Sequence, residues 1–242
     1  MGKLLFLFIV GAIALLFRLI LLEPLEWHQA APLLLFLPGA LLIWLIQRRI
    51  QARDAAYQPK QPDNIWNTRI GERMSTGRKL LYKGSRKQAA YYRYYPHWWQ
   101  YAINEIINGG GKWYMNLCFE LKNGEKIKFI EQRKKKKQKG NTTWHISQKE
   151  QVIGQVQTDY SIKNALKLQE GLFLQINSQT YYFQSFGIGS KTEIRLNQQV
   201  IAAGWRSDSL QCSYCLKVTE GHEAIEPLLM MAFILFNYVH EQ

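Results

Sequence analysis

Cysteine is scarce in this chain: three in 242 residues. That excludes a disulfide framework, and the odd number agrees with a reducing compartment. Histidine is almost as thin, with five scattered positions. No HExxH, no paired-carboxylate motif and no Ser-His-Asp order accompanies them, so the expectation is a protein without catalysis, cofactor or metal. Acidic residues are the minority, 18 Asp+Glu against 31 Lys+Arg, for a formal net charge of +13. Collagen-like periods and low-complexity tracts are missing. A disordered chain is excluded too, because Leu, Ile, Val and aromatic residues are plentiful.

Charge is nearly absent from two long runs. Leu4–Leu22 has one charged residue, Arg18, and His28–Gln47 has none. A bilayer core takes a helix of about 20 apolar residues, so both runs qualify as spans. With the short connector 23–31 they read as a two-helix transmembrane hairpin over residues 1–50. Arg18 lies near a span end and can snorkel. Trp27 and Trp44 also sit near span ends, as interfacial aromatics do. Pro38-Gly39 predicts a kink within the second run. The competing readings are a signal peptide followed by one span, and two core helices of a soluble protein. A signal peptide has an apolar region of only about 7–15 residues and a small-residue cleavage site, and neither is seen. Lys3 precedes the first run and Arg48, Arg49 and Arg53 follow the second, while the connector holds Glu23 and Glu26. The positive-inside rule then places both termini and the main domain in the cytoplasm, at the cell membrane.

Residues 51–70 are rich in Gln, Asn and Pro without a period and read as a linker. From about Gly71 the pattern turns strand-like. Two runs, Lys112–Lys122 and Glu125–Gln132, flank Asn123-Gly124, a strong hairpin signal. Further strands are expected at Thr142–Ser147, Gln151–Gln157, Leu172–Asn177, Thr180–Phe186, Thr192–Leu196, Gln199–Trp205 and Gln211–Val218. Asn164–Glu170 is open between helical turn and strand. Pro227–Val239 has no charge and is apolar on nearly every face. That is short for a third span, and a helix apolar all round is normally buried. Pro227 suits its first turn.

About a dozen short strands end in this one apolar helix. With them come the turns Ile153-Gly154-Gln155-Val156 and Val200-Ile201-Ala202, and the stretch Tyr182–Lys191 (YFQSFGIGSK). In these features residues 71–240 resemble the tubby C-terminal-like domains, a group that includes the phospholipid scramblases, and in particular its small bacterial members. The resemblance implies a mainly β fold, a closed antiparallel barrel around the C-terminal helix, over a domain spanning 71–242. It also implies binding of anionic phospholipid headgroups by basic positions, or scramblase-like action on lipids. No phosphoinositide-binding residue of the family can be placed on this sequence.

The positive charge is concentrated. Residues 60–150 carry a net +13, residues 1–59 a net +2 and residues 151–242 a net −2. The densest part is Arg133, Lys134, Lys135, Lys136, Lys137 and Lys139, between two expected strands. It reads as a basic loop that contacts anionic phospholipid, where each cation contributes about 1 kcal/mol. The alternatives are a solvated loop or a nucleic-acid contact. Tyr91–Tyr101 holds seven aromatics in eleven positions. Stacking of single-stranded bases is one use, but sheet core with some lipid interface is the favoured reading, since no nucleic-acid signature accompanies it.

Three weaker motifs carry less. Cys212-Ser213-Tyr214-Cys215 lacks the second pair of a zinc site, and in a strand its thiols diverge. Gly187–Lys191 lacks phosphate-loop spacing and a following helix. Gly109-Gly110-Gly111 reads as a turn. The expected function is a non-catalytic membrane-anchored module that contacts anionic phospholipid or a protein partner. An enzyme whose site leaves no sequence trace and a membrane-tethered nucleic-acid binder are the other classes.

Overall fold

The computed structural model describes residues 2–21, 27–59, 62–69, 77–107, 114–132, 141–186, 191–208 and 213–240. It divides into two units, Met1–Arg53 with Tyr95–Tyr114, and Asp54–Tyr94 with Met115–Gln242.

The first unit is helical, with α1 (Gly2–Leu21), α2 (Trp27–Leu34), α3 (Phe36–Ala55) and α4 (Trp98–Ile107). Gly2–Leu21 and Ala30–Ala55 are each long and apolar enough to cross a membrane. No residue of α1 is buried, whereas a soluble core helix would hide its apolar face. The second run breaks at Leu35, one turn before the expected Pro38-Gly39 kink. Pro38 has no N–H to return to the Leu34 carbonyl, so the ladder opens there. Gly11 lies so close to Leu33 that a Cβ would strike its side chain, the small-residue contact by which apolar helices approach. The aromatic stretch around Pro96 is divided. Tyr91 is fully buried in the barrel core, while Trp98 begins α4 and is 82% exposed.

The second unit is a closed barrel of twelve strands, each antiparallel to both neighbours. In chain order they are β1 (Ile65–Arg69), β2 (Lys79–Lys83), β3 (Arg86–Arg93), β4 (Leu117–Leu121), β5 (Lys126–Gln132) and β6 (Thr143–Gln148). Then follow β7 (Gln151–Asp159), β8 (Gln169–Ile176), β9 (Gln179–Phe186), β10 (Thr192–Leu196), β11 (Gln199–Asp208) and β12 (Ser213–Val218). Short α5 (Ile162–Leu166) joins β7 to β8, so the open stretch 164–170 is part helix and part strand. Alternate residues point inward as strand geometry requires, among them Leu117 and Phe119 on β4 and Ile127 and Phe129 on β5. β1 closes the barrel on β12, with Thr68 opposite Tyr214.

β1 lies inside the stretch expected to be linker. Its centre is Trp66-Asn67-Thr68, and all three are buried. Both donate away from β1: the Asn67 amide to the Gly84 carbonyl at 3.1 Å and the Thr68 hydroxyl to the Leu80 carbonyl at 2.9 Å, while the Asn67 side-chain oxygen has no hydrogen-bond partner among the described residues.

The barrel interior is filled by α6 (Glu226–His240), buried from Leu229 to Tyr238. This excludes a third span. Phe233 packs so tightly on β11 that a Cβ on Gly204 would lie 2.5 Å from its ring. At the helix start, Glu226 accepts a hydrogen bond from Trp66 Nε1 at 3.0 Å and pairs with Lys83. This holds the helix entry against β1 and β2.

Candidate functional site

Antiparallel neighbours send the connections alternately to the two ends of the barrel. One end carries tight turns between β2–β3, β4–β5, β6–β7, β8–β9 and β10–β11. Three of these have two successive left-handed residues: Lys149-Glu150, Asn177-Ser178 and Asn197-Gln198. The other end carries the connections 70–78, 94–116, 133–142, 160–168 and 209–212. α6 enters from the tight-turn end and finishes at the long-loop end, where His240 Nδ1 lies 3.5 Å from Glu170.

Asp54 also lies at the long-loop end. It is buried and sits 3.8 Å from Arg69, the last residue of β1. In chain order Asp54 is the first residue of the barrel unit. From there the chain follows the outer wall to the start of β1. The Tyr57 hydroxyl donates to Ser213 Oγ at 3.2 Å, and the Tyr82 hydroxyl donates to the Tyr57 carbonyl at 2.9 Å. This segment covers the outer face of β12, where Cys215 is fully buried. Burial pushes the Tyr57 and Tyr82 hydroxyls above their ordinary pKa.

Arg133, Lys134, Lys135, Lys136, Lys137 and Lys139 lie outside the described residues. Their connection leaves β5 at Gln132 and returns to β6 at Thr143, both at the long-loop end. Cys212, Gly109–Gly111 and Gly187–Ser190 also lie outside the described residues, so neither the CxxC nor those two glycine turns is placed.

Two features escaped the sequence reading. The first is a basic outer wall on β2–β4. Glu120 pairs with Arg78 at 2.6 Å and Lys126 at 3.3 Å, while Arg86, Lys87 and Lys122 stand exposed around the same groove. Five cations share one carboxylate there, so the groove favours an anion. These residues are spread over a long stretch of sequence and meet only through strand register. The second is the β7–β8 connection, where Ile162, Leu166 and Leu168 are each at least 80% exposed. The sequence left 164–170 open between helical turn and strand and gave no sign that these aliphatic residues would be exposed.

Comparison of the chain with protein-family models, curated proteins and solved structures finds no match. The barrel with its enclosed helix agrees with the tubby-like architecture. Among the described residues, no group of three His, Cys, Asp or Glu residues is placed to hold a metal ion.

Proposed function

We propose that this chain is a non-catalytic, membrane-anchored barrel module. Its long-loop end docks on anionic phospholipid in the bilayer that holds its helices, with the main domain and both termini cytoplasmic. One observation carries the reading: the apolar run enters the barrel at Asp54, on the same end as the connection that holds six cations. Each cation adds about 1 kcal/mol close to an anionic surface, and the tether raises the effective concentration of that surface. The attraction fades beyond about 8 Å at physiological salt, so only the near end contributes. Of the basic wall only Arg78, which precedes β2, lies at that end; Arg86, Lys87, Lys122 and Lys126 stand at the tight-turn end and take no part in this docking. The resemblance to tubby-like domains supports the same ligand class.

The test uses the full chain in nanodiscs of neutral or anionic lipid, with amine labelling read by mass spectrometry. Lys134–Lys137 should be protected in anionic discs, labelled in neutral discs, and exposed again by high salt. Equal labelling in both lipids would sink the electrostatic docking and direct attention to a protein partner.

A further inference from the structure

We infer that the β7–β8 connection is a membrane-inserting knob that buries Ile162, Leu166 and Leu168 in the bilayer anchoring this chain. The inference rests on the reading that the long-loop end faces that bilayer, but it requires no anionic lipid.

The exposure is the first ground. Ile162 is 80%, Leu166 80% and Leu168 81% exposed, with Tyr160 beside them at 50%. Single exposed aliphatics need no explanation, but a projecting group of them marks an interaction surface.

The second ground is that the display is held rigidly. Asn164, 6% exposed, donates from its amide to Asp159 Oδ2 at 2.8 Å and to the Tyr182 hydroxyl at 2.9 Å. The Tyr182 hydroxyl donates to the same Asp159 oxygen at 3.0 Å. The other Asp159 oxygen receives the Ser161 N–H at 3.1 Å, and Asn141 Oδ1 receives the Tyr160 N–H at 3.0 Å. The Asp159 carboxylate is thereby engaged beneath the knob instead of projecting from it. A loop free to collapse would fold its aliphatics onto the barrel; this one is fastened by its polar residues with the apolar ones outward.

The third ground selects the occupant. The knob stands at the end where Asp54 joins the apolar run to the barrel, and where the cationic connection begins and ends. Lys167 is exposed next to Leu166, and Lys163 follows Ile162 in sequence. Aliphatic residues interleaved with lysines suit the headgroup–acyl boundary, where long cationic side chains reach back to the phosphates. A bilayer is already present through the chain's own spans, so the cost of finding the surface is largely removed.

The test places an environment-sensitive fluorophore on full-length Leu166→Cys in a Cys212→Ser background. Cys118 and Cys215 are buried and do not compete for label. A second probe on Asn177→Cys, at the tight-turn end, is the reference. Both proteins are reconstituted in neutral phosphatidylcholine vesicles, and circular dichroism confirms the fold. The expected result at Leu166 is blue-shifted emission, quenching by lipid-borne nitroxide and loss of iodide quenching, with the opposite pattern at Asn177. Iodide quenching at Leu166 would overturn the inference, because the knob then faces water. Shielding from both quenchers would overturn it as well, because a second copy or another protein then covers the knob. Protected lysines in anionic discs with an iodide-accessible knob would refute the inference and leave electrostatic docking standing. An inserted knob with charge-independent lysine labelling would do the reverse.

Discussion

Gly204 shows how closely the barrel is fitted to its helix. No unusual backbone angle calls for glycine there; the requirement is space, since a Cβ would lie 2.5 Å from the Phe233 ring. Gly204→Ala therefore overpacks a filled core, which costs about 1–3 kcal/mol. Phe233→Leu in the same chain makes room for the methyl, so the double variant should lose less than the two single losses added. Thermal melts of the four proteins measure this coupling, and strictly additive losses would show that the two sites do not meet. The inward alternation of Leu117 and Phe119, or Ile127 and Phe129, was legible in the sequence, because period two in apolar residues has few other causes. Asn67 and Thr68 were not. They look like linker residues, and the carbonyls of Leu80 on β2 and Gly84 just after it, brought over by strand pairing, offset part of the cost of their burial.

At the scale of elements, turn chemistry decided what could be read. Asn123-Gly124 announced the β4–β5 hairpin, and Gly124 has φ 83°. The β10–β11 turn has the same demand with a poorer residue. Asn197 (φ 49°) and Gln198 (φ 69°) are both left-handed. Asn tolerates that region, whereas a residue such as Gln is strained there by about 1–2 kcal/mol. Glycine relieves the strain but loses more backbone freedom on folding, about 0.5–1 kcal/mol. Gln198→Gly should therefore raise stability by about 0.5–1 kcal/mol, the difference between those terms. A higher denaturant midpoint with an unchanged slope is the expected outcome; a lower midpoint would mean that Gln198 gains more from its surroundings than the turn costs. α4 was hidden for a related reason. Its aromatics continue those of β3, and composition alone does not show that Pro96 separates a strand from a helix.

At the scale of the whole molecule the decisive point is where the chain joins the barrel wall. Sequence order alone attaches the linker to the start of β1, at the tight-turn end. The structure carries the chain first along the wall from Asp54, through Tyr57, so the attachment lies at the opposite end. Contacts with Arg69, Tyr82 and Ser213 make this difference, and no local pattern in residues 51–64 encodes them. In the proposed topology two crossings return the chain to its starting side, whatever the orientation, so the N-terminus and the barrel share a compartment. Lys3, Arg48, Arg49 and Arg53 flank the two apolar runs on that side, against Glu23 and Glu26 between them, and by the positive-inside rule this is the ground on which the cytoplasm is proposed. Reporter fusions test the assignment. A phosphatase that folds only outside the cell should be active when inserted after Glu23 and inactive when fused after Gln242, while a fluorescent protein after Gln242 should fluoresce. The reversed pattern would place the barrel outside and deprive its cations of the anionic leaflet they are proposed to meet. Activity at both positions would mean that only the first run crosses, which separates the N-terminus from the barrel and places the barrel outside.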